Sequence, residues 1–247
     1  MFAVSHLQTS DQPRLSQSAT CRRSCGSSRA TRSLCTCLVA TFSLWFFQSS
    51  ACAQIKVACI GDSITYGHGL PDPNTQSYPA VLGGLLGEGY DVQKFAVGGA
   101  TMLKDSDNPY WDTQAFIDST AWAPDIVIIM LGTADSKPWN WVHGDEYEGD
   151  YLDMIAHYAA LGSAPVIYIC TPCPVYEHGS GGVSPRVVAY QIVPLVWLVG
   201  AESGTPVIDV FTALSDLPQD FPDYVHPNAR GATLIALTVW RALTAGE

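Results

Sequence analysis

Short apolar runs alternate with amphipathic stretches along most of the chain. Ile55–Ile60 is apolar apart from Lys56 and stops at Gly61, which predicts a strand; Tyr90–Val97 predicts a second, leading into Gly98-Gly99. Asp125–Leu131 (DIVIIML) and Ala164–Cys170 (APVIYIC) are nearly continuous apolar runs, the pattern of strands buried on both faces. Pro206–Val210 predicts a fifth strand. Between and after these runs, Ser77–Leu86, Thr113–Trp122, Asp145–Leu161, Ser184 to about Glu202, and Asn228–Ala245 predict helices. Ser184-Pro185 supplies a side-chain cap followed by proline at the first helical position, where a missing N–H is harmless. Strand and helix alternate five times, so an α/β fold is expected, a parallel sheet with helices on both faces. No repeat, low-complexity tract or linker breaks residues 54–247. In such sheets ligands gather at the carboxyl ends of the strands. Chemistry is therefore expected in Gly61–His68, Gly98–Leu103, Gly132–Trp141, Thr171–Val183 and Phe211–His226.

The N-terminal region has a different pattern. Arg14, Arg22, Arg23, Arg29 and Arg32 precede an apolar run, roughly Leu34 to Phe47, and Ala51-Cys52-Ala53 follows with small-x-small spacing. This predicts a cleaved leader at residues 1–53 and one domain at 54–247. An uncleaved anchor is the alternative, although the run is shorter than the roughly 20 residues a spanning helix needs. The whole chain has 12 Lys+Arg, 23 Asp+Glu and a net charge of −11. Cleavage leaves 7 basic and 22 acidic residues, a net charge of −15. Such a surface repels nucleic acid and anionic membrane. It suits a secreted or periplasmic protein acting on neutral substrates, with no stable membrane insertion after cleavage. Five of the eight cysteines fall in the leader. Cys59 is expected as a buried small hydrophobe. Cys170 and Cys173 have C-x-x-C spacing and could close a small disulfide loop; no second Cys/His pair stands at ligand spacing, so no metal is expected.

Two segments far apart carry chemistry. Ser63 follows the first strand, between Gly61 and Gly67, which permit the sharp turn a nucleophile needs. Asp223-Tyr224-Val225-His226-Pro227 lies between the last strand and the last helix. A serine hydroxyl is a weak nucleophile until a base takes its proton. Imidazole suits that role, and a carboxylate on its other ring nitrogen orients it.

With these residues in view, the chain resembles the GDSL/SGNH hydrolase superfamily over nearly all of residues 54–247. Ile60–Thr65 (IGDSIT), Val97–Thr101 (VGGAT), Leu131–Lys137 (LGTADSK) and Asp223–His226 resemble its four blocks. The resemblance implies a flavodoxin-like three-layer αβα sandwich with a five-stranded parallel sheet. It also implies Ser63 as nucleophile, His226 as base, Asp223 as acid, and an oxyanion hole from the backbone N–H groups of Ser63 and Gly99. The third block of the family carries an asparagine whose amide is a further oxyanion donor; here Ala134 stands at that position, and the donor is absent. Loss of one such donor costs about 10²–10³ in kcat, so a slowed enzyme is expected rather than a dead one.

Aromatic residues crowd the same loops. Asp62, Trp111, Trp139 and Tyr176 are the candidate substrate contacts, with Tyr110, Trp141 and His178 nearby. Leu131–Trp141 further resembles secreted members linked to sialate or polysaccharide O-acetylesterases. The expectation is an esterase that deacetylates carbohydrate without metal or organic cofactor. The alternatives are a lipid or thioester hydrolase and an impaired, carbohydrate-binding relative. Lys137 is expected to pair with local carboxylates without a catalytic role, and His68, His143 and His157 are expected to be structural.

Overall fold

The computed structural model describes residues 53–177 and 180–245. Apart from Ala53, the expected leader lies outside the described residues, as does His178. Five strands form one sheet: β1 (Ile55–Gly61), β2 (Tyr90–Ala96), β3 (Ile126–Met130), β4 (Val166–Cys170) and β5 (Val207–Ile208). All pairs are parallel and the order is β2-β1-β3-β4-β5. The order reverses at β1, which lies between β2 and β3, and ligands bind at such switch points, beyond the carboxyl ends of the strands.

The helices are α1 (Ser63–Tyr66), α2 (Pro73–Gln76), α3 (Tyr78–Leu86), α4 (Gln114–Trp122), α5 (Tyr147–Ala159), α6 (Pro185–Val187), α7 (Val193–Ser203), α8 (Val210–Leu214) and α9 (Ala229–Thr244). They divide between two cores because strand side chains alternate in direction. Ile60, Val127, Ile129, Ile167 and Ile169 face α5 and α7, with Phe116 of α4 at the margin. Val57, Cys59, Ile128, Met130, Cys170 and Ile208 face α3, α8 and α9. The central strands are therefore apolar on both faces, as their sequences predict. Burial of each such aliphatic side chain contributes about 1.5–3 kcal/mol.

The helix starts follow local chemistry. Thr113 Oγ1 accepts from Phe116 N at 3.2 Å, and Asn228 Oδ1 accepts from Gly231 N at 3.0 Å. Ser184 Oγ accepts from Val187 N at 3.3 Å. Two expectations change in the C-terminal half. The helix expected from Ser184 to Glu202 is broken by a π turn over Val188–Ile192, in which Val193 N reaches back to Val188 O. Pro194 follows directly and has no N–H to give, so the helical ladder is rebuilt around it. The strand expected over Pro206–Val210 is reduced to Val207–Ile208, because Asp209 Oδ1 accepts from Thr212 N at 3.0 Å and starts α8 at Val210.

The cysteines also differ from one expectation. Cys59, Cys170 and Cys173 are free and buried, so the C-x-x-C pair forms no disulfide. All three pack in the core on the α3, α8 and α9 face. Burial pushes their thiols up, Cys59 to about 12 despite a hydrogen bond with Tyr78, so they are inert as nucleophiles. Among the described residues no helix is long and apolar enough to cross a membrane.

Candidate active site

All five strand ends open onto one cleft of about 360 Å³. It is lined by Ser63, His68, Gly98, Gly99, Thr133, Ala134, Lys137, Gly181, Val183, Val225 and His226. A larger groove of about 580 Å³ between Trp141, Val142, Asp145, Gln191, Pro194 and Leu195 lies elsewhere and has no serine, cysteine or histidine in its lining.

Ser63 owes its position to its neighbours on either side. At Gly61 a Cβ would stand 2.0 Å from Thr65 Oγ1 and 2.7 Å from Met130 O, so only glycine lets β1 turn there. Asp62 then caps α1, its Oδ1 accepting from Ile64 N at 2.8 Å. Ser63 opens that helix, at the position where a backbone N–H has no partner four residues back. Its Oγ lies 2.8 Å from His226 Nε2.

His226 is held from the other side. Its Nδ1 is 2.7 Å from Asp223 Oδ2, while Asp223 Oδ1 accepts the backbone N–H groups of His226 (2.7 Å) and Val225 (3.1 Å). Burial alone would raise the Asp223 carboxyl, but the His226 ring and these two N–H groups outweigh it and hold the pKa near 2. An ionised carboxylate accepts only, so Nδ1 carries the proton and Nε2 is free to take one from Ser63. Between them Tyr224 adopts a left-handed backbone (φ +67°), which brings Asp223 and His226 to the same side of a tight turn. Such a conformation is unfavourable by about 1–2 kcal/mol for a residue with a Cβ. Tyr224 is secured by its N–H to Phe221 O and by Tyr176 N to its own carbonyl, both 2.9 Å.

The facing wall is made from the loops after β2 and β3. Ala100 N closes a turn onto Val97 O at 3.1 Å, and Gly99 in its third position has φ +77°, which favours glycine. Asn108 Nδ2 donates to Gly98 O at 3.2 Å and so fixes the plane of the Gly98–Gly99 peptide. Asp135 ties the two loops together: its carboxylate accepts from Met102 N (3.1 Å) and Leu103 N (2.8 Å). Full burial pushes Asp135 up to about 7 against those two N–H groups, and pushes Asp62 up to about 6. Ala134 lines the cleft, and its side chain is a methyl group with no donor. The nearest candidate replacement amide in sequence, Asn140, is buried and committed, donating to Asp107 Oδ1 (2.8 Å) and Ala134 O (3.1 Å).

The structure thus brings together Ser63, Asp223, His226, Gly99 and Ala134, but not the expected substrate contacts. Asp62 is buried beneath Ser63 as a helix cap. Trp111 donates Nε1 to Met102 O at 2.9 Å and packs on Phe116. Tyr176 stacks on Phe221, donates its hydroxyl to Leu214 O and accepts from Leu217 N at 3.2 Å. Protein neighbours occupy all three, and none of them lines the cleft. Only Trp139 is near it: half-exposed, it packs on Gly182 beside the cleft residue Gly181 and donates Nε1 to Asp107 Oδ2 at 2.8 Å. Two side chains expected to have no part in the chemistry also line the cleft. His68 lies in the cleft with its ring 4.5 Å from that of His226, and Lys137 lines the opposite wall. Their adjacency to the first and third blocks was the available signal. His157, in contrast, is structural as expected, bonded to Thr120 Oγ1 at 2.9 Å and stacked on Phe116. Among the described residues no three His, Cys, Asp or Glu side chains converge as a metal site.

The chain is similar to known proteins in sequence and in fold. The GDSL-like Lipase/Acylhydrolase family matches residues 59–234. An acetylxylan esterase from Xylanibacter ruminicola is 37% identical over 207 residues, a match covering 76% of this chain. The chain spans 43% of the length of that relative. Two solved structures share the fold. A carbohydrate acetylesterase from Sinorhizobium meliloti has a TM-score of 0.64 at 20% identity, covering 78% of this chain and 99% of its own. An acetylxylan esterase from Geobacillus stearothermophilus has a TM-score of 0.61 at 23% identity, covering 77% and 94%.

Proposed function

The chain belongs to the GDSL-like lipase/acylhydrolase family, and from that premise we propose that it is a secreted serine esterase that removes acetyl groups from carbohydrate. The carrying observation is the continuous chain of contacts from Ser63 Oγ through His226 to Asp223, at 2.8 and 2.7 Å, opening on a cleft.

In this reading Ser63 Oγ attacks the acetyl carbonyl as its proton passes to His226 Nε2. The backbone N–H groups of Ser63 and Gly99 receive the oxyanion. When the tetrahedral intermediate collapses, the sugar alkoxide leaves and takes the proton back from His226. Water, deprotonated by the same imidazole, then releases acetate and restores Ser63. Asp223 orients the ring and favours the imidazolium that forms at each step.

The small residues Gly98, Gly99 and Ala134 on the cleft wall, and its volume of about 360 Å³, support a short acyl group over the long chain a lipid hydrolase would take. The acetylxylan esterase relative supports carbohydrate as the leaving group. Export rests on the arginine-rich leader and the Ala51-Cys52-Ala53 site.

The test uses the full-length gene product recovered from the medium, with its N-terminus expected at Gln54. kcat/KM is measured on p-nitrophenyl acetate and octanoate, and acetate release on acetylated xylo-oligosaccharide, with Ser63→Ala as the blank. Acetate preference and release from the oligosaccharide are expected. Octanoate preference would favour a lipid or thioester hydrolase. Oligosaccharide binding without turnover above the blank would favour the carbohydrate-binding alternative, for which Ala134 is the supporting residue.

A further inference from the structure

We infer that the ammonium group of Lys137 stabilises the oxyanion in place of the side-chain amide missing at Ala134. The inference rests on the serine-esterase reading and deepens it.

Lys137 follows the short turn Ala134–Ser136, with its own N–H on Ala134 O at 3.3 Å. The turn directs the side chain along the wall of the cleft that Gly99 and Ala134 also line. Nζ lies 3.9 Å from the point where a Cβ on Gly99 would stand. A positive charge is thereby fixed beside a backbone N–H already proposed to face the oxyanion. The lysine side chain is 16% exposed, so little water competes with it.

Its partners leave it capacity to act. Nζ is 3.3 Å from Asp107 Oδ2. The Asp107 carboxylate also accepts from Trp139 Nε1 and Asn140 Nδ2, both at 2.8 Å. Burial would raise the Asp107 carboxyl, but these N–H donors and the lysine charge keep it below its usual range and ionised. Asp107 anchors the lysine without occupying it, since an ammonium has three N–H bonds and one carboxylate oxygen takes one. The ring of Trp139, 5.7 Å from Nζ, covers another side. A flexible, strongly hydrated side chain is thus held by a carboxylate and an aromatic face, leaving donors for an anion formed in the cleft. No proton is transferred by Lys137 in this role; its charge is attractive to the oxyanion and far less so to the neutral ester. The effect therefore belongs to kcat rather than KM.

The test is a double-mutant cycle between Lys137→Met and Ala134→Asn, on p-nitrophenyl acetate, with Ser63→Ala as the blank. Lys137→Met alone is expected to lower kcat about 10²-fold, the typical effect of one oxyanion donor, with KM changed less than about threefold. Ala134→Asn is expected to restore most of that loss in the Lys137→Met chain. In the Ala134→Asn background the lysine is expected to matter by less than about tenfold. Inhibition by a boronic acid, which forms a tetrahedral adduct on serine, should weaken in parallel with kcat. A lysine that merely braces the loop would lower the melting temperature and act equally in both backgrounds, and that result overturns the inference. If Lys137→Met does not fold, Lys137→Gln, which keeps a neutral donor for Asp107, carries the same cycle. Ser63-dependent hydrolysis that neither substitution changes would overturn this inference alone. Absence of Ser63-dependent hydrolysis from every variant would overturn the esterase reading together with it.

Discussion

The two walls of the cleft are built differently. On one, Ser63, His226 and Asp223 are joined by close hydrogen bonds, and the last carboxylate is also bound by two backbone N–H groups. On the other, Gly99 and Ala134 bring backbone and a methyl group, and Lys137 is the charged side chain there among the described residues. The first wall depends on three side-chain identities at fixed positions. The second depends on loop shape, set from behind by Asn108 and Asp135. The proposed proton transfer on the first wall needs both Ser63 Oγ and His226 Nε2, whereas the second stabilises charge from several directions, and one donor can be exchanged for another.

This difference can be broken or sharpened by substitution. The largest effect is expected at Asp223→Asn, which keeps the shape but lets the wrong nitrogen of His226 carry the proton. kcat should fall by about 10⁴, as measured by initial rates on p-nitrophenyl acetate. A loss below tenfold would mean that the carboxylate only braces the turn.

Next is Asp135→Asn, behind the second wall. Both Asp135 oxygens accept a backbone N–H, so an amide turns one NH₂ group towards a donor, with an expected loss of about 1–3 kcal/mol of stability in urea melts. This variant also tests pH dependence. Asp135 and Asp62 have folded pKa values raised by burial to about 7 and about 6, from an ordinary value of 3.8. The native state therefore favours their protonated forms. The stability they contribute is complete below about pH 3.8 and is lost as pH rises through 6 to 7. The natural chain should lose stability between about pH 3.8 and about pH 7, and Asp135→Asn should lose less. Equal slopes would show that Asp135 is ionised throughout.

The smallest effect is expected at Gly99→Ala. A Cβ there has space, with Asn108 Nδ2 at 3.8 Å and Lys137 Nζ at 3.9 Å, so the penalty is the left-handed backbone alone, about 1 kcal/mol. kcat is expected to fall roughly tenfold as the N–H shifts. Unchanged kcat with lowered stability would remove Gly99 from the proposed oxyanion hole.

The difference between the walls also explains what could be read from the sequence. The apolar strands and the D-x-x-H turn after the last of them are local patterns, and all five strand-end segments do contribute to the cleft. Asp62, Trp111 and Tyr176 are close to the blocks along the chain, but proximity does not say which way a side chain points. Trp111 and Tyr176 turn inward because Met102 O and Leu214 O give their polar ends partners inside the fold. Lys137 pairs with a local carboxylate, Asp107, as its neighbours in sequence suggest, yet the long side chain also reaches the cleft. Reach of that kind depends on loops meeting in space, as does the loss of most of β5 to the cap at Asp209.

Ser63 and His226, which meet at 2.8 Å, are 163 positions apart. A ribosome makes the serine long before the histidine, so in the interval Ser63 is an ordinary alcohol with no base beside it. Helix α9, which follows His226 directly, packs in the same core as α3, the first long helix after Ser63. Closing that contact joins the segment after Ser63 to the segment after His226, and a chain that stops before His226 has all five described strands yet no base beside the serine. Reactivity in this sense waits on chain order: in the proposed esterase, the ability to cut an ester appears only when the segment carrying His226 and α9 has been made and docked.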